Sequence, residues 1–251
     1  MTTPLHGKVA FVTGGTRGTG RAISLALANS GADLAIGYFR NGKEALKTER
    51  AIQSIGVRCI RLKGHLGDPK QISSMFQTIR EEFGTLDILI NNAASGVNRS
   101  GIELNENHFD WTLNINLKGP WLSIKEAVPL MKPGGSIINV TSLGSQRVLP
   151  NYTSIGISKA GLEALTRYMA IELAPRGINV NAISPGYVNT NALHHFPNEE
   201  QMVRDAKVST PNKQVLTAED IGKVALFLAS NDASMIRGQV IVVDGGMSLI
   251  K

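Results

Sequence analysis

Seven short apolar runs, each separated from the next by polar or helical sequence, constrain this chain more than any single residue does. The runs fall at 9–13, 33–38, 57–63, 86–91, 136–141, 178–183 and 239–244; helical patterns fall at 20–29, 43–55, 70–83, 108–131, 154–173 and 218–229. Strands that are apolar almost throughout are buried on both faces, and strand–helix–strand units give parallel neighbours with right-handed crossovers. The pattern predicts an α/β protein with an open, doubly wound, seven-stranded parallel sheet in three layers, α/β/α. A length of 251 residues suits a single domain with a full core. No internal repeat, low-complexity tract or linker breaks the alternation. The least patterned stretch is 189–216, which contains His194-His195-Phe196-Pro197. It reads as an insertion over the carboxyl ends of the strands, where open sheets bind ligands, and is expected to be a substrate lid or else a surface excursion.

Composition narrows the function classes. The formal charge is +6, but the basic residues are scattered and few aromatics interleave with them, so nucleic-acid binding is not expected. A phosphorylated cofactor or an acidic carrier protein fits that mild excess better. The one cysteine, Cys59, excludes an internal disulfide and lies in an apolar run, which predicts a buried, inert thiol. A lysine precedes any usable apolar run at the start, so neither a signal peptide nor a spanning helix is read, and a cytoplasmic location is expected. No metal site is expected.

The first chemical motif is Thr13-Gly14-Gly15-Thr16-Arg17-Gly18-Thr19-Gly20, after the first strand and opening a helix. Glycines there permit a tight turn and close approach to a pyrophosphate, and the helix N-terminus offers free N–H groups to the anion. This is a Rossmann-type arrangement, and a plain structural turn is the lesser reading. An NAD site commonly places a carboxylate at the end of the second strand for the ribose 2′-hydroxyl. Here that segment is Tyr38-Phe39-Arg40-Asn41, with no acid before Glu44. Arg40 and Arg17 suit a 2′-phosphate instead, which predicts NADPH; the bland reading of Arg40 is a solvated turn residue.

With these residues the chain resembles the short-chain dehydrogenase/reductase superfamily over nearly its whole length. Matching positions are the 13–20 turn, Asn91-Asn92-Ala93-Ala94, Asn116 in Asn-Leu-Lys-Gly, Ser142, Lys159-Ala160-Gly161 and Ser184-Pro185-Gly186. The resemblance implies that Asn92 lies beside the adenosine ribose, that Lys159 grips the nicotinamide ribose, and that Pro185 to Val188 line the nicotinamide face. The usual Asp after the third strand is His65 here, followed by Leu66, and the usual glycine of Asn-Asn-Ala-Gly is Ala94. Asn116 either takes part in the chemistry or satisfies backbone where its helix kinks.

The commonest members carry Tyr-x3-Lys, yet the residue four before Lys159 is Ile155, which can neither donate a proton nor bind an oxyanion. The nearest tyrosine is Tyr152, at Tyr-x6-Lys spacing. That spacing, and the Pro150-Asn151-Tyr152 approach to it, resemble the NADPH-dependent enoyl-acyl-carrier-protein reductases. On a helix, residues four or seven apart share one face, and the longer spacing moves the attachment point by roughly 4.5 Å. In a 2-enoyl thioester, hydride enters at C3 while charge develops on the thioester oxygen, two carbons away. The displaced hydroxyl suits that reaction. The resemblance implies Tyr152 as hydrogen-bond donor to the enolate oxygen and Lys159 as ribose ligand and nearby cation. Ser142 either orients substrate or water, or simply packs. The substrate expected is an enoyl thioester on acyl carrier protein or coenzyme A.

Two rivals stand beside this reading. One is a carbonyl reductase of the same superfamily; the other is a catalytically silent cofactor-binding scaffold that has lost its tyrosine at 155. The bland reading of Tyr152 is a partly buried aromatic with its hydroxyl on backbone. By resemblance, the helices at 108–131 and 154–173 and the closing strand with Gly245-Gly246 imply a homotetramer, with a dimer as fallback.

Overall fold

Period-two alternation along each strand sorts the core into two layers, one on either side of the sheet. In β1 (Val9–Val12), Val9 and Phe11 face one layer while Ala10 and Val12 face the other. In β4 (Ile88–Asn91), Leu89 joins the first layer and Ile88 and Ile90 the second. Both layers are apolar, as a parallel sheet covered on two faces requires. The computed structural model describes residues 4–188, 210–211 and 213–250.

The remaining strands are β2 (Asp33–Tyr38), β3 (Cys59–Lys63), β5 (Ser136–Val140), β6 (Asn179–Pro185) and β7 (Val240–Val243). They form one seven-stranded sheet in the order β3-β2-β1-β4-β5-β6-β7, and every pairing is parallel. The expected doubly wound α/β sheet is therefore present. The strand order reverses between β1 and β4, and the crevice outside their carboxyl ends is where such sheets take ligands. Beside the second layer lie α1 (Gly18–Asn29), α2 (Gly42–Gln53) and α7 (Ala218–Ala229), whose Ile23, Leu27, Ile52, Ile221 and Leu228 fill it. Beside the first lie α3 (Pro69–Phe83), α4 (Glu106–Leu113), α5 (Gly119–Ala127) and α6 (Thr153–Glu172). Fully burying a side chain such as Ile79 or Leu89 contributes about 1.5–3 kcal/mol.

Sequence signals fix several helix ends. Asp68 caps α3 by accepting from Lys70 N–H, Pro69 opens it, and Gly84 closes it at φ +73°. Thr217 and Asp220 form a reciprocal capping box on α7. Strand β4 starts two residues later than expected because Asp87 turns inward, where its carboxylate accepts from Val9 N–H and Lys8 Nζ.

The pattern at 108–131 is not one regular helix. Between α4 and α5 the backbone makes a π turn, Asn114–Lys118, and after α5 a 3-10 turn, Val128–Leu130. At the π turn Asn116 holds the loop after β4: its Oδ1 accepts from Ser95 N–H at 2.8 Å, and its Nδ2 donates to Ser95 O at 2.8 Å and to Ser158 Oγ at 3.1 Å. A π bulge is the usual result when a helix yields a turn to such a contact. All of the amide of Asn116 is engaged in structure, the second of its two expected roles. Most of the 189–216 segment, 189–209 and 212, lies outside the described residues.

Candidate active site

The first half of the site is made of backbone. Gly14 (φ +62°) and Gly18 (φ +50°) turn the chain out of β1 into α1. A Cβ on Gly20 would run into the Gly14 carbonyl oxygen and the Asn92 side chain, so only glycine fits there. Thr13 ties this turn to the end of β4: its Oγ1 donates to Ile90 O at 3.2 Å and accepts from Asn92 N–H at 3.0 Å and Ala93 N–H at 3.1 Å. Asn92 Nδ2 donates to Thr13 O at 3.0 Å and Gly14 O at 3.3 Å. Helix α1 has no side-chain cap and no acid in its first turn, which leaves its N–H groups and positive dipole to a ligand.

This turn forms the wall of a cleft of about 970 Å³. Gly14, Thr16, Arg17, Gly18, Thr19, Gly20, Arg40, His65, Leu66 and Asn92 all line it. Arg17 and Arg40 are exposed, and no carboxylate follows β2 before Glu44. Phe39 and Trp111 line the cleft as well. The Phe39 ring stands 4.7 Å from that of His65 at 61°, and the Arg40 guanidinium lies 5.5 Å from the Phe39 ring. His65 Nδ1 accepts from Gly67 N–H at 3.2 Å. Glycine cradle, open helix terminus and two arginines on the cleft wall fit a nicotinamide dinucleotide.

The second half is made of side chains, with Lys159 buried and Tyr152 and Ser142 half-buried. Lys159 is buried on α6 and donates from Nζ to Val140 O at 2.7 Å; burial alone pushes its ammonium pKa down to about 8. Tyr152 lies outside the helix, at its N-cap, with φ −109° and ψ 15°. The helix-face argument therefore does not describe it, since only its carbonyl joins α6, accepting from Gly156 N–H at 2.6 Å. Its ring lies against Gly144, where a Cβ would come within 2.6 Å of two ring carbons. Burial raises the Tyr152 pKa, a hydrogen bond from the Ser142 side chain opposes that rise, and the nearby Tyr187 phenol adds to it. Ser142 Oγ also accepts from Gly144 N–H at 3.0 Å. Ile155, one turn before Lys159, packs its side chain against Gly96 of the loop after β4. Tyr152, Ser142 and Lys159 are gathered around the end of β5, and they lie beyond the lining of the 970 Å³ cleft. Val188 also lies beyond that lining, and bridges to Leu216.

A family model described as enoyl-(acyl carrier protein) reductase matches residues 14–248. The chain belongs to the short-chain dehydrogenase/reductase superfamily. The 1-cyclohexenylcarbonyl-CoA reductase of Streptomyces collinus is 33% identical over 245 residues, covering 97% of this chain and 88% of its own. A short-chain dehydrogenase from Burkholderia cenocepacia J2315, solved with NADP, superposes with a TM-score of 0.92 at 32% identity, covering 98% of this chain and 99% of the other. The angucycline C-6 ketoreductase LanV, also with bound NADP, superposes with a TM-score of 0.91 at 32% identity, covering 100% and 99%. The chain is thus an oxidoreductase of this superfamily, built for a nicotinamide dinucleotide.

Within this short-chain reductase, sequence reasoning gave no role to Phe39 or Trp111, and none of its own to Tyr187. An exposed aromatic directly after β2 was the available signal for Phe39. Tyr187 sits inside the Pro185-to-Val188 stretch, but its proximity to Tyr152 depends on β6 lying beside β5. Cys59 is buried, and burial pushes its thiol up to about 12, in keeping with the inert role expected. No helix among the described residues is long and apolar enough to cross a membrane.

Proposed function

We propose that the protein uses NADPH to reduce the C2=C3 double bond of trans-2-enoyl thioesters carried on acyl carrier protein or coenzyme A, the step that closes a fatty acid elongation cycle. One observation carries the reading. The position four before Lys159 holds an apolar isoleucine packed on Gly96, while the half-buried Tyr152 phenol, three residues earlier, lies beside Ser142. The acid has moved away from the place that serves a ketone oxygen. The name of the Streptomyces collinus relative denotes a thioester whose ring double bond is conjugated to the carbonyl, which supports the same chemistry.

A nicotinamide cofactor held in the cleft would supply the hydride that C3 receives. Arg17 and Arg40 bind the 2′-phosphate, which favours NADPH over NADH. Tyr152 donates a hydrogen bond to the thioester oxygen as negative charge grows there. Its raised pKa keeps the phenol protonated at neutral pH, as a donor must be. Ser142 orients that hydroxyl. Lys159 holds the nicotinamide ribose, and its positive charge stabilises the developing anion. The proton for C2 arrives from solvent or through Tyr152.

A ketone reduction is the second reading, because LanV is named a ketoreductase and Ser142 lies beside the phenol as a second donor. The test follows NADPH absorbance with crotonyl thioester in one cuvette and acetoacetyl thioester in another. Consumption with the enoyl substrate alone is expected; consumption with the keto substrate alone sinks the enoyl assignment. We also propose a cytoplasmic homotetramer, with a dimer as fallback. Trp121 on α5, with Ile157, Tyr168 and Ile171 on α6, leaves an apolar face exposed, and β7 leaves Val242 exposed at the sheet edge. Light scattering on the eluting protein decides between four subunits, two and one.

A further inference from the structure

Glu163 takes no part in the chemistry above, yet only 4% of it is exposed. A buried carboxylate is tolerated when donors satisfy it, and three reach this one. Thr141 Oγ1 donates to Oε1 at 3.1 Å, Gln146 Nε2 donates to Oε2 at 3.1 Å, and Ser145 Oγ donates to Oε1. All three belong to the turn after β5, whereas Glu163 stands on α6 one turn beyond Lys159. The same turn carries Ser142 and Gly144. Ser142 O accepts from Ser145 N–H at 3.0 Å, and Ser142 Oγ accepts from Gly144 N–H at 3.0 Å. The hydroxyl proton of Ser142 is then free for the Tyr152 oxygen, and Gly144 is the floor under the Tyr152 ring. Because Tyr152 precedes α6, helical hydrogen bonding does not fix its ring. The turn does.

We propose that Glu163 is a positioning residue for this reductase: by clamping the 141–146 turn to α6, it sets where the Tyr152 hydroxyl points. The inference deepens the assignment of Tyr152 as the acid and rests on it.

The test uses Glu163→Met, which keeps the length of the side chain and removes both acceptor oxygens. Tyrosines labelled with carbon-13 at Cζ give a resonance for Tyr152, identified by its loss in Tyr152→Phe, that reports hydrogen bonding to the phenol. In E163M that resonance is expected to move while those of Tyr38 and Tyr168 stay. With the enoyl thioester kcat is expected to fall roughly 10- to 100-fold, the scale of a misplaced catalytic group, with the Kd for NADPH within about twofold. The loss is expected to vanish when E163M is combined with Tyr152→Phe, as coupled residues require. Glu163→Gln is expected to recover most of the rate, since its oxygen still accepts from Thr141 and Ser145 and its amide meets the Gln146 carbonyl once that side chain turns over. If E163M does not fold, Ser145→Ala with Gln146→Ala removes two of the three donors and takes its place in the same measurements. An unmoved Tyr152 resonance in the folded variant overturns the inference, and so does a rate loss fully additive with Tyr152→Phe. The resonance needs no substrate, so it judges the clamp even if the enoyl thioester proves to be the wrong one.

Discussion

The two halves of the cleft solve the same problem, holding polar groups in place, by opposite means. The nucleotide half uses backbone: positive-φ glycines, open N–H groups at α1 and exposed arginines that reach into solvent. The half proposed to be catalytic uses side chains instead, with buried Lys159 on the Val140 carbonyl and half-buried Tyr152 beside Ser142. A backbone cradle tolerates little change in shape but much change in neighbouring charge. A buried side-chain site behaves the other way round, since removing one group there leaves its partners unsatisfied. Under the proposed function, shape would govern binding of the cofactor and the hydrogen-bond network would govern the rate.

Tyr152→Phe tests the second half and carries the largest expected effect. Loss of a positioned proton donor lowers kcat by about 10²- to 10⁴-fold, while the Kd for NADPH, read by fluorescence, stays near its original value. A variant that keeps full turnover shows that another group is the acid, and absence of turnover in the wild type as well points to the scaffold. Gly20→Ala tests the first half. Its added Cβ meets the Gly14 carbonyl and Asn92, so the turn must open. Overpacking of this kind costs about 1–3 kcal/mol, and Tm is expected to fall by about 2–4 °C for each of them. NADPH affinity falls with it. An alanine variant with native Tm and native affinity would break the claim that shape rules this half.

How much of this was legible in the sequence follows the same division. The strand alternation and the glycine turn are local patterns, and both appear where their spacing placed them; even α7 keeps its expected bounds. The ends of β3 and β4 shift because Arg58 N–H is taken by Asp33 and because Asp87 turns inward, contacts between segments far apart in the chain. The Tyr-x6-Lys spacing was visible, but the spacing alone suggested a shared helix face. That Tyr152 stops short of the helix became visible only with α6 packed on Gly144. Glu163 was invisible as a clamp for the same reason: its three partners lie 17 to 22 positions away, on another element. A single inward-facing acid carries no period from which such a contact can be read.

Arg40→Ala sharpens the comparison from the charge side. If the exposed arginines act only on the 2′-phosphate, the preference for NADPH over NADH falls by about 10-fold per arginine, near the 1.4 kcal/mol of one charge-assisted bond. NADH affinity and Tm hold. Equal losses for both cofactors would mean that Arg40 supports the cradle itself, as a structural residue.

A further effect concerns the proton on Lys159, and it separates the halves by pH. Burial holds the folded pKa at about 8, whereas the unfolded chain keeps the ordinary 10.5. Between those values the unfolded state binds more protons, so the free energy of unfolding rises with pH, by at most about 1.4 kcal/mol per unit. The cost of burying the cation is thus fully present below pH 8 and relieved above it. Urea unfolding of the cofactor-free protein at two pH values inside that window is expected to show this gain in the wild type and its loss in Lys159→Met, where other titrations cancel. Activity moves the opposite way: kcat/KM is expected to fall as pH rises through about 8, because the reaction needs the cation while Tyr152 keeps its proton. Stability rising where activity falls is the signature of a charge kept for chemistry at the expense of folding. If both rise together, or neither depends on Lys159, the buried half of the site owes nothing to that charge.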